Sequence, residues 1–118
     1  MLGLAFKPET DDMRDAPSLS IAESLLEMGA RVKAFDPVAN EACFRLRPDL
    51  DIVYAASVED LVTGCDAVVL VTEWDEFLRL DLPSVAELMS GIVIVDGRNV
   101  LDPDVVKRAG LQLYGIGR

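Results

Sequence analysis

Histidine is absent from the 118 residues, so the side chain most often used as a general base near neutral pH cannot serve here. Cations are scarce as well: 11 Lys and Arg stand against 21 Asp and Glu, for a formal charge of −10. That balance excludes nucleic acid and an anionic membrane surface as partners, and any bound anion must be held by a local cluster of the few cations. There are only two cysteines, Cys43 and Cys65, neither in a CxxC nor beside a base. They carry no metal or redox signature and offer no apparatus for nucleophilic catalysis, and both read as reduced bystanders. No apolar run approaches the roughly 20 residues of a membrane span, and the amino terminus lacks the charged-then-apolar pattern of a signal peptide, which points to a cytoplasmic location.

What is present is a folding pattern. With 51 % hydrophobic and 27 % charged residues over a length of one domain, residues 1–118 read as a single unit with a compact core and no room for a second catalytic domain. Short apolar runs rich in Val and Ile lie at Met1–Phe6, Arg31–Phe35, Ile52–Tyr54, Ala67–Val71, Ile92–Val95 and Gln112–Tyr114, the fourth and fifth reading as fully buried. Between the first two, Leu19, Ala22, Leu25 and Leu26 share a helical face, Pro17 suits its first turn and Gly29 stops it. Ser57 with Asp60 caps a short helix, Asp102-Pro103 opens a last one that Gly110 ends, and shorter helical stretches fall around Ala39–Leu46 and Ser84–Met89. The alternation predicts an α/β fold, Rossmann-like and doubly wound, with a mainly parallel sheet of about six strands and helices on both faces.

In such a sheet, ligands bind where loops leave the carboxyl ends of the strands. The loop after the first run is Lys7-Pro-Glu-Thr-Asp-Asp-Met-Arg14, the one after the fourth begins Thr72-Glu73-Trp74, and the one after the fifth is Asp96-Gly97-Arg98-Asn99. Three of the few cations, Lys7, Arg14 and Arg98, thus share one predicted edge, which suits a phosphate or pyrophosphate. A dinucleotide turn needs GxGxxG, yet Gly3 is followed by Leu4-Ala5-Phe6-Lys7 with no second glycine, so a complete cofactor site is not expected within this chain. Asp36 stands where the ribose-binding acid of such folds stands, but without the glycines it reads as a cap or turn former before Pro37. Asp11 and Asp12 suggest an Mg²⁺-binding receiver-like module, the alternative from another class, though the third run ends in Tyr54-Ala55-Ala56 without a phosphoacceptor; pairing with Arg14 or capping the helix is the simpler role. Trp74, the only tryptophan, reads as a packing residue.

Taken together, Gly3-Leu-Ala-Phe-Lys-Pro-Glu-Thr-Asp-Asp-Met-Arg14-Asp-Ala-Pro17, Phe35-Asp36-Pro37, Thr72-Glu73-Trp74-Asp75-Glu76-Phe77, Asp96-Gly97-Arg98-Asn99-Val100-Leu101-Asp102 and Tyr114-Gly-Ile-Gly-Arg118 resemble the carboxyl-terminal domain of the UDP-glucose/GDP-mannose dehydrogenase family. Within it, they are most like the UDP-glucose 6-dehydrogenases. The resemblance implies a UDP-sugar-binding domain from a longer NAD-dependent enzyme that serves polysaccharide biosynthesis and works as a homodimer or higher oligomer. It implies substrate contacts at Phe6, Lys7 and Arg98, and at Arg14 an arginine that reaches NAD held mainly by another domain. The family oxidises the sugar C6 alcohol to a carboxylate in two steps with two NAD, through a thiohemiacetal on a cysteine. Neither Cys43 nor Cys65 lies in that cysteine's motif, so this chain by itself is expected to hold no catalytic residue, no metal and no turnover. GDP-mannose or a UDP-N-acetylhexosamine stays open as the substrate. Ala16 replaces a frequent capping serine, which is expected to loosen the helix start, and the strand before Gly3 looks truncated.

Overall fold

Extended and helical segments alternate along residues 1–116, the part of the chain that the computed structural model describes. Gly117 and Arg118, the last two residues of the closing Tyr114–Arg118 segment, lie outside the described residues. The elements run α1 (Pro17–Glu27), β1 (Val32–Ala34), α2 (Asn40–Leu46), β2 (Ile52–Tyr54), α3 (Val58–Val62), β3 (Ala67–Leu70), α4 (Asp75–Leu78), α5 (Leu82–Leu88), β4 (Val93–Asp96), α6 (Pro103–Arg108) and β5 (Gln112–Gly115). Pro17 stands in the first turn of α1, where its missing N–H costs nothing, and the residue before it, Ala16, makes no side-chain cap. The Ser57 side chain accepts from Asp60 N–H at the start of α3, and Asp102 accepts from Asp104 N–H at the start of α6. Gly29 and Gly110, both at positive φ, follow the ends of α1 and α6. The short helix α4 was not foreseen; Phe77 within it is fully buried.

Every strand pairing is parallel: β1 with β2, and β3 with β4 with β5. Leu2 joins the two groups through single bridges to Phe35 and Leu70. Its N–H donates to the Val69 carbonyl and its carbonyl accepts from Val71 N–H, both at 2.8 Å, while Gly3 N–H donates to the Phe35 carbonyl at 2.8 Å. The order across the sheet is therefore β2, β1, Met1–Gly3, β3, β4, β5, the doubly wound order, with the switch point between Met1–Gly3 and β3. Two expectations are corrected here. The run Met1–Phe6 is not a strand over its length: five strands form, and Leu2 alone holds the sixth place, because Gly3 at φ +95° turns the chain out of the sheet. Nor are β3 and β4 buried throughout, since their burial alternates and Ala67 is exposed.

That alternation reflects two unequal layers. Val68 and Leu70 belong to one core cluster, with Leu61, Phe77, Val85, Ile94 and Val106 of α3 to α6 and β4. Val69 and Val71 point the opposite way and meet the other cluster, with Leu4 and with Ala22, Val32, Ala34 and Cys43 from α1, β1 and α2. Helices thus cover both faces, but α1 and α2 lie over the β1–β2 half, leaving Val69, Val93 and Val95 half-buried.

Candidate functional site

The switch point is formed by the segment after Gly3, and its shape follows from close packing against the loop after β3. A Cβ on Gly3 would come within 2.5 Å of Thr72 Cβ and 2.6 Å of Thr72 N, so only glycine fits this approach and this φ. From there each backbone polar group has a fixed partner. Leu4 and Ala5 N–H donate to Asp36 Oδ2 at 2.8 and 3.0 Å. The Leu4 carbonyl accepts from Ser18 Oγ at 2.6 Å and the Ala5 carbonyl from Thr72 Oγ1 at 2.7 Å. Asp36 also takes the Trp74 indole N–H at 3.1 Å on Oδ2, and the N–H groups of Val38 and Ala39 on Oδ1. Asp36, Ser18 and Thr72 are buried. Asp36 is a turn former, as its place before Pro37 suggests, with both oxygens engaged by the protein.

This network presents Phe6 at the edge, 46 % exposed. Its N–H donates to the Asp12 carbonyl at 2.8 Å and its carbonyl accepts from Arg98 Nη2 at 3.2 Å. Arg98 is placed by the turn after β4. Asp96, wholly buried, accepts from Arg98 N–H on Oδ1 and from Val100 and Leu101 N–H on Oδ2. Gly97 allows the approach, because a Cβ there would lie 2.8 Å from the Leu70 carbonyl oxygen. The guanidinium then crosses the switch point: Nε donates to the Val71 carbonyl at 2.7 Å and lies 3.1 Å from Glu73 Oε2. One side chain therefore ties together the loops after Gly3, β3 and β4.

Of the sequence-predicted residues, Phe6 and Arg98 come together here, and Lys7 is the exposed next residue after Phe6. Arg14 joins indirectly. Its Nε and Nη2 grip Asp12, with Nη2 2.9 Å from Oδ2, while the Asp12 carbonyl holds Phe6 N–H. Hydrogen bonding from Arg14 lowers the Asp12 carboxyl to about 2. The pair is exposed, so it orders the loop more than it stabilises the fold. Trp74 is buried, a packing residue whose indole serves Asp36. Cys43 is buried beneath the Tyr54 hydroxyl, which donates to Sγ, and burial pushes its thiol up, away from nucleophilic use. Among the described residues no group of three or more His, Cys, Asp or Glu is placed to hold a metal ion. The sequence left Glu73, Thr72, Ser18 and Asp96 without roles. For Thr72 and Asp96, a polar residue closing an apolar run was the available signal; for Ser18 and Glu73 there was none, since their partners lie on other segments.

The sequence profile described as "UDP-glucose/GDP-mannose dehydrogenase family, UDP binding domain" matches residues 1–103. The chain belongs to that family. A UDP-glucose 6-dehydrogenase of Pseudomonas aeruginosa is 46 % identical over 126 aligned residues, covering 98 % of this chain and 26 % of the relative. The Bacillus subtilis UDP-glucose 6-dehydrogenase YwqF is 40 % identical over 118 residues, covering all of this chain and 27 % of its own length. The chain thus spans about a quarter of the curated relatives it matches. Among solved structures, a UDP-D-ManNAc dehydrogenase from Pyrococcus horikoshii superposes with a TM-score of 0.78 at 33 % identity, over 99 % of this chain and 24 % of that one. A UDP-glucose dehydrogenase from Pyrobaculum islandicum gives 0.75 at 35 %, over 98 % and 24 %.

The turn after Gly3 carries Leu4, Ala5 and Phe6 where glycines would let a pyrophosphate approach, and the acid at the end of β1 is spent on five protein N–H groups. The crevice of this family member does not fit NAD by itself. What it offers is an exposed aromatic ring and two cations at one edge of a strongly acidic chain, which suits a phosphorylated ligand.

Proposed function

We propose that this chain is the carboxyl-terminal, nucleotide-sugar-binding domain of an NAD-dependent UDP-glucose 6-dehydrogenase. The observation that carries the reading is the contact of Arg98 with Phe6, next to Lys7, at the switch point of a chain that matches a UDP binding domain. Lys7 and Arg98 donate charge-assisted hydrogen bonds to phosphate or sugar oxygens, and the exposed Phe6 ring covers an apolar part of the ligand. Arg14, at the far end of the same loop, faces NAD held mainly by another part of the longer enzyme. NAD supplies the hydride acceptor there; the part of this chain is to bind and orient the nucleotide sugar. The catalytic cysteine lies outside this chain, which has no turnover alone. Both curated relatives described above are UDP-glucose 6-dehydrogenases, which favours UDP-glucose over GDP-mannose or a UDP-N-acetylhexosamine. The working enzyme is a cytoplasmic homodimer or larger assembly.

The test is steady-state kinetics of the full-length enzyme carrying Lys7→Ala or Arg98→Ala. A charge-assisted hydrogen bond is worth about 1.5–3 kcal/mol, so each change should lower kcat/KM for UDP-glucose by roughly tenfold to a hundredfold. Arg14→Ala should instead weaken NAD selectively. Wild-type KM and kcat for UDP-glucose in both of the first two variants would sink the assignment.

A further inference from the structure

Arg98 is held on one flank by a carboxylate that neither the sequence pattern nor the family match explains. Val71 and Glu73 meet the guanidinium at Nε, at 2.7 and 3.1 Å, and Phe6 meets it at Nη2. A guanidinium carries five N–H groups in a rigid plane, and these protein partners occupy only two of them. The engaged edge is thus the one nearest the side-chain stem, and the remaining three N–H groups are left for a ligand. Arg98 and Glu73 are each about one-third exposed, 33 % and 34 %, a depth at which the pair touches solvent but is not free to roam. Glu73 itself is fixed from behind, because Thr72 is buried against the Ala5 carbonyl and Trp74 against Asp36. A carboxylate beside an anion-binding arginine weakens long-range attraction for the anion. Its placement is therefore accounted for by orientation: an unheld arginine side chain loses rotamer entropy on binding, and a pre-held one loses less.

We propose that Glu73 is a positioning residue for the nucleotide-sugar site, fixing Arg98 through Nε so that its outer N–H groups face the phosphate or sugar oxygens of the ligand. This rests on the assignment of Arg98 to the ligand, and goes beyond it by naming the group that aims the arginine.

The experiment is a double-mutant cycle in the full-length enzyme. Glu73→Ala should raise KM for UDP-glucose about fivefold to twentyfold, with kcat falling less than about twofold. Glu73→Gln, whose amide oxygen can still lie against Nε beside the Val71 carbonyl, should stay within about threefold of wild type. In an Arg98→Ala background, Glu73→Ala should add nothing, because a residue acting through Arg98 has nothing left to act on. A full additional loss in that background overturns the proposal while leaving the Arg98 assignment intact, and marks Glu73 as an independent ligand contact. Tighter binding by Glu73→Gln also overturns it, since charge repulsion would then outweigh orientation. If Arg98→Ala itself is silent, the assignment of the site falls first. Should Glu73→Ala fold poorly, Glu73→Ser and the Arg98 Nε–H signal in ¹⁵N NMR decide the matter: unchanged chemical shift and exchange rate of that proton in Glu73→Ser refute the contact.

Discussion

Replacing Asp36 should damage the fold more than replacing any charged residue at the edge of the site. Its carboxylate accepts from Leu4, Ala5 and the Trp74 indole on one oxygen and from Val38 and Ala39 on the other, at distances of 2.8 to 3.1 Å. Four of these bonds are buried; only that to Val38 is nearer the surface, where water can replace it. A stranded buried donor costs about 1–3 kcal/mol, so four give an upper bound of about 4–12 kcal/mol for Asp36→Ala. Water entering the vacated space and the relief of a buried carboxylate reduce this, and a loss of about 3–5 kcal/mol is expected, a large fraction of the roughly 5–15 kcal/mol of an ordinary domain. Asp36→Asn keeps one acceptor oxygen and turns its amide toward the Val38 side, where the conflict is least, for a loss of about 2–3 kcal/mol. Urea unfolding, followed in parallel by far-UV circular dichroism and by fluorescence of the sole tryptophan, should place the Asp36→Asn midpoint about 1–2 M below wild type, given urea m-values of about 1–3 kcal/mol/M. An Asp36→Ala midpoint within about 0.3 M of wild type would refute the assignment of Asp36 as the anchor of this loop.

Two further outcomes follow from the same geometry. Gly3→Ala places a methyl 2.5 Å from Thr72 Cβ at φ +95°, combining left-handed strain with overpacking for about 2–5 kcal/mol. Gly29→Ala, at φ +89° with open space around it, should cost only the strain, about 1–2 kcal/mol; equal melting temperatures for the two would contradict the close approach. For Asp12, the folded carboxyl at about 2 lies below its ordinary 3.8. The contribution of the Arg14 pair is therefore complete above about pH 4 and is lost as pH falls through 2. NMR titration should find the Asp12 midpoint near 2 in the wild type and near 3.8 in Arg14→Ala, and an unmoved midpoint would show that the clamp does not form in solution.

The sheet was legible because its strands announce themselves chemically. Ile52–Tyr54 was read to the residue, and Arg31–Phe35, Ala67–Val71, Ile92–Val95 and Gln112–Tyr114 to within one residue at either end. Valine and isoleucine between turn residues leave little choice of local structure. Leu4–Phe6 misled for the same reason: its residues are apolar enough for a strand, yet Gly3 and the side chains of Asp36, Ser18 and Thr72 claim the backbone groups that a ladder would use. At the site, Lys7, Arg14 and Arg98 could be grouped because the segments they follow, Met1–Gly3 and β4, belong to one parallel sheet. What places Arg98, the Val71 carbonyl and the Glu73 carboxylate, involves a contact between loops far apart in sequence, which carries no periodicity to read.

The seam at Leu2 has a kinetic consequence. Among the described residues, β1–β2 and β3–β4–β5 are joined as a sheet only through Met1–Gly3. Each group can pair its own strands over modest chain lengths, whereas the seam must bring the first residues to Phe35 and to Leu70 at once. Closing such long loops is the slow, entropically costly part of folding. The loop with Phe6 directly follows that seam, the loop with Glu73 follows the strand beside it, and the Arg98 side chain bridges the two, so the proposed ligand site should be completed last during folding and lost first when the chain begins to open.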